Sequence, residues 1–363
     1  MIIFATGISG SGRFDYLKEV GKVSGGALDV VDVGSLMFDK SKQLGINIPE
    51  GKILDLDYFA LSYLRAVTFE DLLKWIHKYK GKSARDLIIS THTCFRWKKH
   101  LTPAFNFFYL NQINPDVYVT IVDNVHHIWA RLSRSQWKSR LSLKDIMVWR
   151  DEELFITEML AQYQRKPFYI IARKEPLELL RDLIQKVEKI REGKKALRAY
   201  LSYPITYMKG DVKWMDEKDE IKEKLREAGI IIFDPITVEE ADIIGLADEA
   251  KKKGEDAIEF EVEGEKFKIP IEQIEVCKDD IYDQIVARDY KLIDQSDIVI
   301  VYYPVPTLSA GVLSEINYSF THNKEVYAIF PYEDLSPFFS YYTTGVFKSV
   351  EELISYLREI EKI

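Results

Sequence analysis

Cysteine is almost missing: Cys94 and Cys277 are the only two in 363 residues, and they form no CxxC or Cys/His spacing. That excludes a disulfide-stapled scaffold and a thiolate zinc site, and a reducing cytoplasm is the expected compartment. Long apolar runs are missing too. Nothing approaches the roughly 18 residues a membrane-spanning helix needs, and Met1–Ala5 runs into Gly7-Ile8-Ser9-Gly10 without a basic n-region or long h-region. Neither a membrane partner nor an export signal is expected. There is no excess of basic charge, with 50 Lys+Arg against 58 Asp+Glu and a net charge of -8; the acidic second half would repel phosphate backbones and no nucleic-acid partner is expected, although the basic first half could attract phosphates. Scarce Cys and Gln beside abundant Lys and Glu lean toward a thermophilic source.

What is present is an ordinary globular composition, 47% hydrophobic and 30% charged. The length exceeds the ~250 to 300 residues at which single cores stop growing, so two domains are expected. Cut at Lys195, the chain divides into a basic half with 31 basic and 23 acidic residues and an acidic half with 19 and 35. The charged stretch Lys186–Lys195 reads as the boundary between domains 1–195 and 196–363.

Both halves alternate buried strands with amphipathic helices, which gives an α/β fold class: two Rossmann-like three-layer domains with parallel sheets. In the first, strands are read at Ile2–Ala5, Leu28–Val33, Leu87–Ile89, Val117–Val122 and Phe168–Ile171, with helices at Phe14–Val23 and Leu177–Ile190. In the second, strands are read at Ala199–Leu201, Ile230–Phe233, Ile298–Tyr302 and Glu325–Phe330. Helices are read at Trp214–Ala228, Ile281–Gln295 and Val312–His322, with a last one from Val350. The Lys- and Glu-rich segment 239–280 reads as an insertion, because Ile258-Phe260-Val262, Gly264 and Phe267-Ile269 alternate like a hairpin.

Gly7, Gly10 and Gly12 follow the first strand at the spacing of a phosphate-cradling P-loop, whose backbone N–H groups and following helix bind anions. Arg13 then replaces the usual lysine, and Phe14 replaces the hydroxyl that would hold magnesium. A glycine turn without ligand fits the same residues. Leu87-Ile88-Ile89-Ser90-Thr91-His92, Pro115-Asp116-Val117, and Arg131, Arg134 and Arg140 before Arg150-Asp151-Glu152 resemble archaeal-type adenylate kinases over about 190 residues. The resemblance implies a P-loop kinase-like domain that would take ATP or another nucleotide at the loop, with Arg131 and Arg134 as lid arginines on phosphate. That family carries an acid where this chain has Ser90, and acceptor arginines where it has Leu56 and Ala60, so the kinase-like domain is expected to be degenerate. No metal site is expected from His92, His126 and His127, which lack carboxylate partners at ligand spacing.

The second half concentrates its chemistry in Ile285–Glu315. Asp289 lies on a helix, Asp297 precedes a buried strand, and Pro306–Gly311 opens a helix carrying Glu315. Ligands in parallel α/β sheets bind at strand carboxyl ends and helix N-termini. Read plainly, Glu315 is also a carboxylate that complements a helix dipole, and Asp297 a turn residue. The spacing from Asp289 to Glu315, Asn323-Lys324, and Tyr200-Leu201-Ser202 at the first strand resemble the nucleoside 2-deoxyribosyltransferase superfamily. The hydrolytic branch, the 2'-deoxynucleoside 5'-monophosphate N-glycosidases, is the nearer likeness.

That resemblance implies Glu315 as nucleophile on the anomeric carbon, Tyr200 orienting it, and Asp289 as acid/base partner. Ser309 and Gly311 would hold the 5'-phosphate, with Ile205 and Tyr203 lining the substrate. Tyr203 departs from the small residue usual there. No cofactor is required for this chemistry. The resemblance also implies a homo-oligomer, expected as a dimer, in which Phe338–Tyr342 serves either as core or as an interface wall. The expected function is nucleotide processing: hydrolysis, or transfer, at the N-glycosidic bond of a small-molecule nucleotide. A non-catalytic nucleotide sensor or scaffold is the alternative, and an active nucleotide kinase the third.

Overall fold

The computed structural model describes residues 1–49, 51–80, 85–98, 100–191, 196–238, 240–307, 309–333 and 336–363. The chain divides into two compact units, Met1–Leu177 with Val238–Tyr282, and Glu178–Thr237 with Asp283–Ile363. The boundary expected at Lys195 lies outside the described residues, as does Glu239 at the start of the expected insertion. The helix Leu177–Arg191, expected to close the first half, falls almost wholly in the second unit. Residues 238–282, read from the sequence as an insertion of the second half, group with the first unit.

In the first unit, β1 (Ile2–Thr6), β2 (Leu28–Asp32), β3 (Asp86–Ser90), β4 (Val117–Val122) and β5 (Phe168–Ala172) form one parallel sheet in the order β2-β3-β1-β4-β5. The central strand β1 is buried along its whole length and pairs Ile3 with Ile88 on one side and Val117 on the other. Such strands read as continuous apolar runs because both faces are covered. Two further hairpins complete the unit, Cys94–Trp97 with His100–Pro103 and Ala257–Val262 with Glu265–Pro270.

A buried ion pair ties residues 238–282 to this unit. Arg150 Nη2 donates to Glu240 Oε2 at 3.0 Å, while the Val125 amide donates to Glu240 Oε1 at 2.8 Å. Arg150 Nη1 also donates to the Asp123 carbonyl at 3.0 Å, so both charges are satisfied inside.

In the second unit, β6 (Arg198–Ser202), β7 (Ile231–Phe233), β8 (Ile298–Tyr302), β9 (Glu325–Ile329) and β10 (Gly345–Phe347) form a parallel sheet in the order β10-β9-β8-β6-β7. Numbered within the unit, that is 2-1-3-4-5. The strand order reverses between β6 and β8, and a sheet of this kind binds ligands at the carboxyl ends of those two strands. The core beneath is built from alternate residues of the strands, Ala199, Leu201, Ile298, Ile300, Tyr327 and Ile329, packed on helix residues Leu225, Leu353 and Leu357. Asp297 pins the start of the reversal, accepting from the Arg198 backbone N–H and from Arg198 Nε, both at 2.9 Å.

Candidate active site

Strand periodicity decides what β6 presents. Residues two apart face the same way, so Tyr200 and Ser202 share the face opposite Ala199 and Leu201. Both sit fully buried at the carboxyl end of the strand. Helix Ala310–Thr321 follows β8 and brings Glu315 over that end. The Tyr200 hydroxyl donates to Glu315 Oε1 at 3.0 Å, and the Ser202 hydroxyl donates to Glu315 Oε2. Each carboxylate oxygen thus has one hydroxyl, which fixes the plane of the group. Ser202 was not singled out from the sequence; its spacing of two from Tyr200 on a strand was the available signal.

Asp289 comes from helix Lys278–Asp294. Its side chain is 14% exposed, and its buried Oδ1, 3.9 Å from Arg288 Nε, meets no hydrogen-bond partner among the described residues. A buried carboxylate oxygen left open is rare in a native interior and suits a ligand hydroxyl. Burial pushes the Asp289 carboxyl up to about 6; neighbouring Arg288 opposes that and Asp234 adds to it. Burial also pushes Glu315 up to about 8, with the Asp289 charge adding and the hydrogen bonds from Ser202 and Tyr200 opposing. Burial, then the charge of Glu315, hold the Tyr200 phenol well above its ordinary range, so it remains a donor.

Ser309 caps helix Ala310–Thr321, its oxygen accepting from the Val312 amide at 3.5 Å, and its own amide donates to the Tyr303 hydroxyl at 2.7 Å. Gly311 is exposed, and a Cβ built there meets nothing within 4 Å, so packing does not demand glycine at that position. Tyr203 turns into the core. Its hydroxyl donates to Asp234 Oδ1 at 2.7 Å, and Lys218 Nζ lies 5.3 Å from its ring. Ile205 packs at the edge of the same core. Asp234, fully buried, also accepts from Lys222 at 2.8 Å. Tyr200, Ser202, Asp289 and Glu315 therefore form one electrostatic group around Glu315, on the helix that Ser309 caps, while Tyr203 belongs to the neighbouring buried ion cluster of Asp234, whose charge reaches Asp289.

In the first unit the glycine loop leads from β1 into helix Arg13–Val23. Gly7 has φ 151° and would place a Cβ 2.6 Å from the Ile121 carbonyl, so only glycine fits. Both backbone groups of Gly7 are held by side chains: its N–H donates to Glu153 Oε1 at 3.2 Å, and its carbonyl accepts from Arg13 Nη1. The Arg13 guanidinium points inward, 7% exposed as a residue, with Nε donating to Ser90 Oγ at 2.9 Å and Asp32 3.7 Å away. Burial lowers its pKa against the opposing charges of Asp32 and Glu153. It braces the loop from the inside.

Gly10 contributes a carbonyl that accepts from Arg131 Nη1 at 2.7 Å, and Gly12 (φ 69°) lies against Arg173. Arg134 lies over Phe267 at 4.4 Å. Phe14 offers no oxygen to a magnesium ion, and its ring lies 5.3 Å from Lys18 Nζ. His92 is packed beside Arg13, His127 faces Asp123 at 3.3 Å, and the His126 ring stands edge-on to Phe260. Among the described residues no group of three or more His, Cys, Asp or Glu side chains could hold a metal ion. No described helix is long and apolar enough to cross a membrane.

No family model matches the sequence, and no curated protein matches it. Solved structures similar to the chain include a gluconokinase from Sinorhizobium meliloti 1021, at 13% identity and a TM-score of 0.28, covering 53% of this chain and 93% of that one. TT1252 from Thermus thermophilus is 12% identical with a TM-score of 0.33, over 52% and 97% of the two chains. An uncharacterized protein from Eubacterium ventriosum ATCC 27560 is 13% identical with a TM-score of 0.27, over 51% and 96%. At scores of this size the fold is read from the topology of the chain itself.

Proposed function

We propose that the second unit hydrolyses the N-glycosidic bond of nucleoside 5'-monophosphates, with Glu315 as the nucleophile. The observation that carries this reading is the two-hydroxyl grip of Tyr200 and Ser202 on Glu315 at the strand-order reversal, beside the open carboxylate oxygen of Asp289. A glycosidase of this class needs one ionised carboxylate to attack and one proton to give to the leaving group. Two coupled carboxyls titrating near 6 and near 8 hold a single proton between those limits. That proton belongs to the pair, and attack by Glu315 follows once it sits on Asp289 or has passed to the departing base.

In this mechanism Glu315 bonds to the anomeric carbon as the base leaves with the proton. Water then cleaves the glycosyl ester, returning the carboxylate and the sugar phosphate. Ser309 and the Ala310 and Gly311 amides at the start of its helix receive the 5'-phosphate, which favours a nucleotide over a nucleoside. Transfer to a second base is the same chemistry with a different acceptor. The discriminating experiment compares monophosphates with their dephosphorylated nucleosides and follows free base by chromatography. Faster cleavage of the monophosphates supports the assignment of Ser309; equal rates contradict it.

The first unit, in the same reading, binds a nucleotide or another phosphate compound at Gly7–Gly12, with Arg131 and Arg173 bordering the loop. A sensor without catalysis is the second reading, favoured by the inward turn of Arg13. Phosphoryl transfer is the weakest, because Phe14 and Ser90 supply neither metal ligand. A homodimer joined through the exposed Phe338 and Tyr341 remains part of the proposal.

A further inference from the structure

The hairpin Ala257–Pro270 has no part in the glycosidic reading. Its tip is Glu263-Gly264, both at positive φ (54° and 80°), between the paired residues Val262 and Glu265. A two-residue turn of this geometry favours Asn, Asp or Gly at its first position. Glutamate there is conformationally unfavourable and calls for a reason. The side chain supplies one: Glu263 Oε1 accepts from Arg131 Nε at 3.0 Å and from Arg173 Nη1 at 3.1 Å.

Those two guanidiniums are the cations that border the glycine loop. Arg131 Nη1 donates to the Gly10 carbonyl and to Asp123 Oδ2, both at 2.7 Å. Arg173 lies so close to Gly12 that a Cβ there would be 2.4 Å from its Nε. The hairpin is held at its flanks as well, by Glu265 paired with Arg134 and by Phe260 edge-on to His126 at 5.3 Å. Beside the tip lies a cavity of about 440 Å³ in which Arg131, Arg173 and Lys174 face the carboxylates of Asp15, Glu19, Asp123, Glu261 and Glu263. The Glu263 side chain is 49% exposed, so its ion pairs are screened and exchangeable.

We propose that Glu263 acts as an internal phosphate surrogate: the hairpin tip occupies the anion site of the glycine loop, and a polyphosphate binds there by displacing it. The proposal rests on the reading of that loop as a phosphate site. A carboxylate offers two oxygens and one charge to the arginines, whereas a polyphosphate offers more of both and can bridge Arg131, Arg173 and Lys174 together.

Calorimetric titration of the full chain with inorganic tripolyphosphate tests this. Glu263→Gln should bind about tenfold more tightly than the native protein, while Glu259→Gln, on the same hairpin but paired with Lys266 away from the cavity, should not change the affinity. In the native protein, tripolyphosphate should also raise amide hydrogen exchange across residues 257–270, a reading that needs no variant. Equal or weaker binding by Glu263→Gln, or binding without faster exchange in the hairpin, would overturn the displacement while leaving the phosphate site standing. No binding by either protein at millimolar tripolyphosphate would overturn both.

Discussion

Glu315 is a carboxylate held by two hydroxyls in a place that disfavours its charge, and its chemistry follows from that conflict. Below about pH 6 both Glu315 and Asp289 are protonated and no nucleophile exists; above about 8 both are ionised and no proton remains for the leaving base. The profile of kcat/KM against pH is therefore expected to be a bell with limbs near those values. Ser202→Ala removes a hydrogen bond that favours the ionised form, so the upper limb should move to higher pH and kcat should fall by roughly 10²-fold. An unmoved limb in a folded Ser202→Ala protein would detach Ser202 from the reaction. Tyr200, Asp289 and Glu315 were named together through the family resemblance, and their side chains do lie together. Ser202 was not, because a buried serine on a strand carries no local mark until its partner is known. Tyr203 was visible only as an odd residue, and its tie to Asp234 depends on β7, far away in sequence.

At the scale of elements, apolar runs marked the sheets well. The runs beginning at Ile2, Val117 and Ile298 became strands within a residue of expectation, since continuous β-branched stretches suit a sheet covered on both faces. The short strand Gly345–Phe347 and the hairpin Cys94–Pro103 were missed, because three or four residues carry too little periodicity to read. The alternation in 257–270 announced a hairpin, but nothing local announced that Glu240 would reach Arg150. Arg150 and Glu240 have side chains 8% and 0% exposed, so Glu240→Ala leaves a buried guanidinium without its carboxylate. That change should destabilise the first unit by about 3 kcal/mol, read as a lower denaturant midpoint. A loss below about 1 kcal/mol would mean that water replaces the pair.

For the whole molecule, the contrast of a basic half and an acidic half was a true property of the sequence that said little about ligands. Much of the acidic excess lies in residues 239–280, which group with the first unit and set Glu263 and Glu265 against Arg131, Arg173 and Arg134. The total charge therefore conceals a local pairing of opposite signs. Where the acidic segment would go could not be read from order along the chain, since the first unit joins residues more than a hundred positions apart. The most direct test of the central claim is free-base release from a panel of 2'-deoxy- and ribonucleoside 5'-monophosphates, run with the native protein and Glu315→Gln. The account predicts base from the native protein and a loss of roughly 10³-fold or more in the variant. No base from any monophosphate, or equal release by the variant, would contradict it.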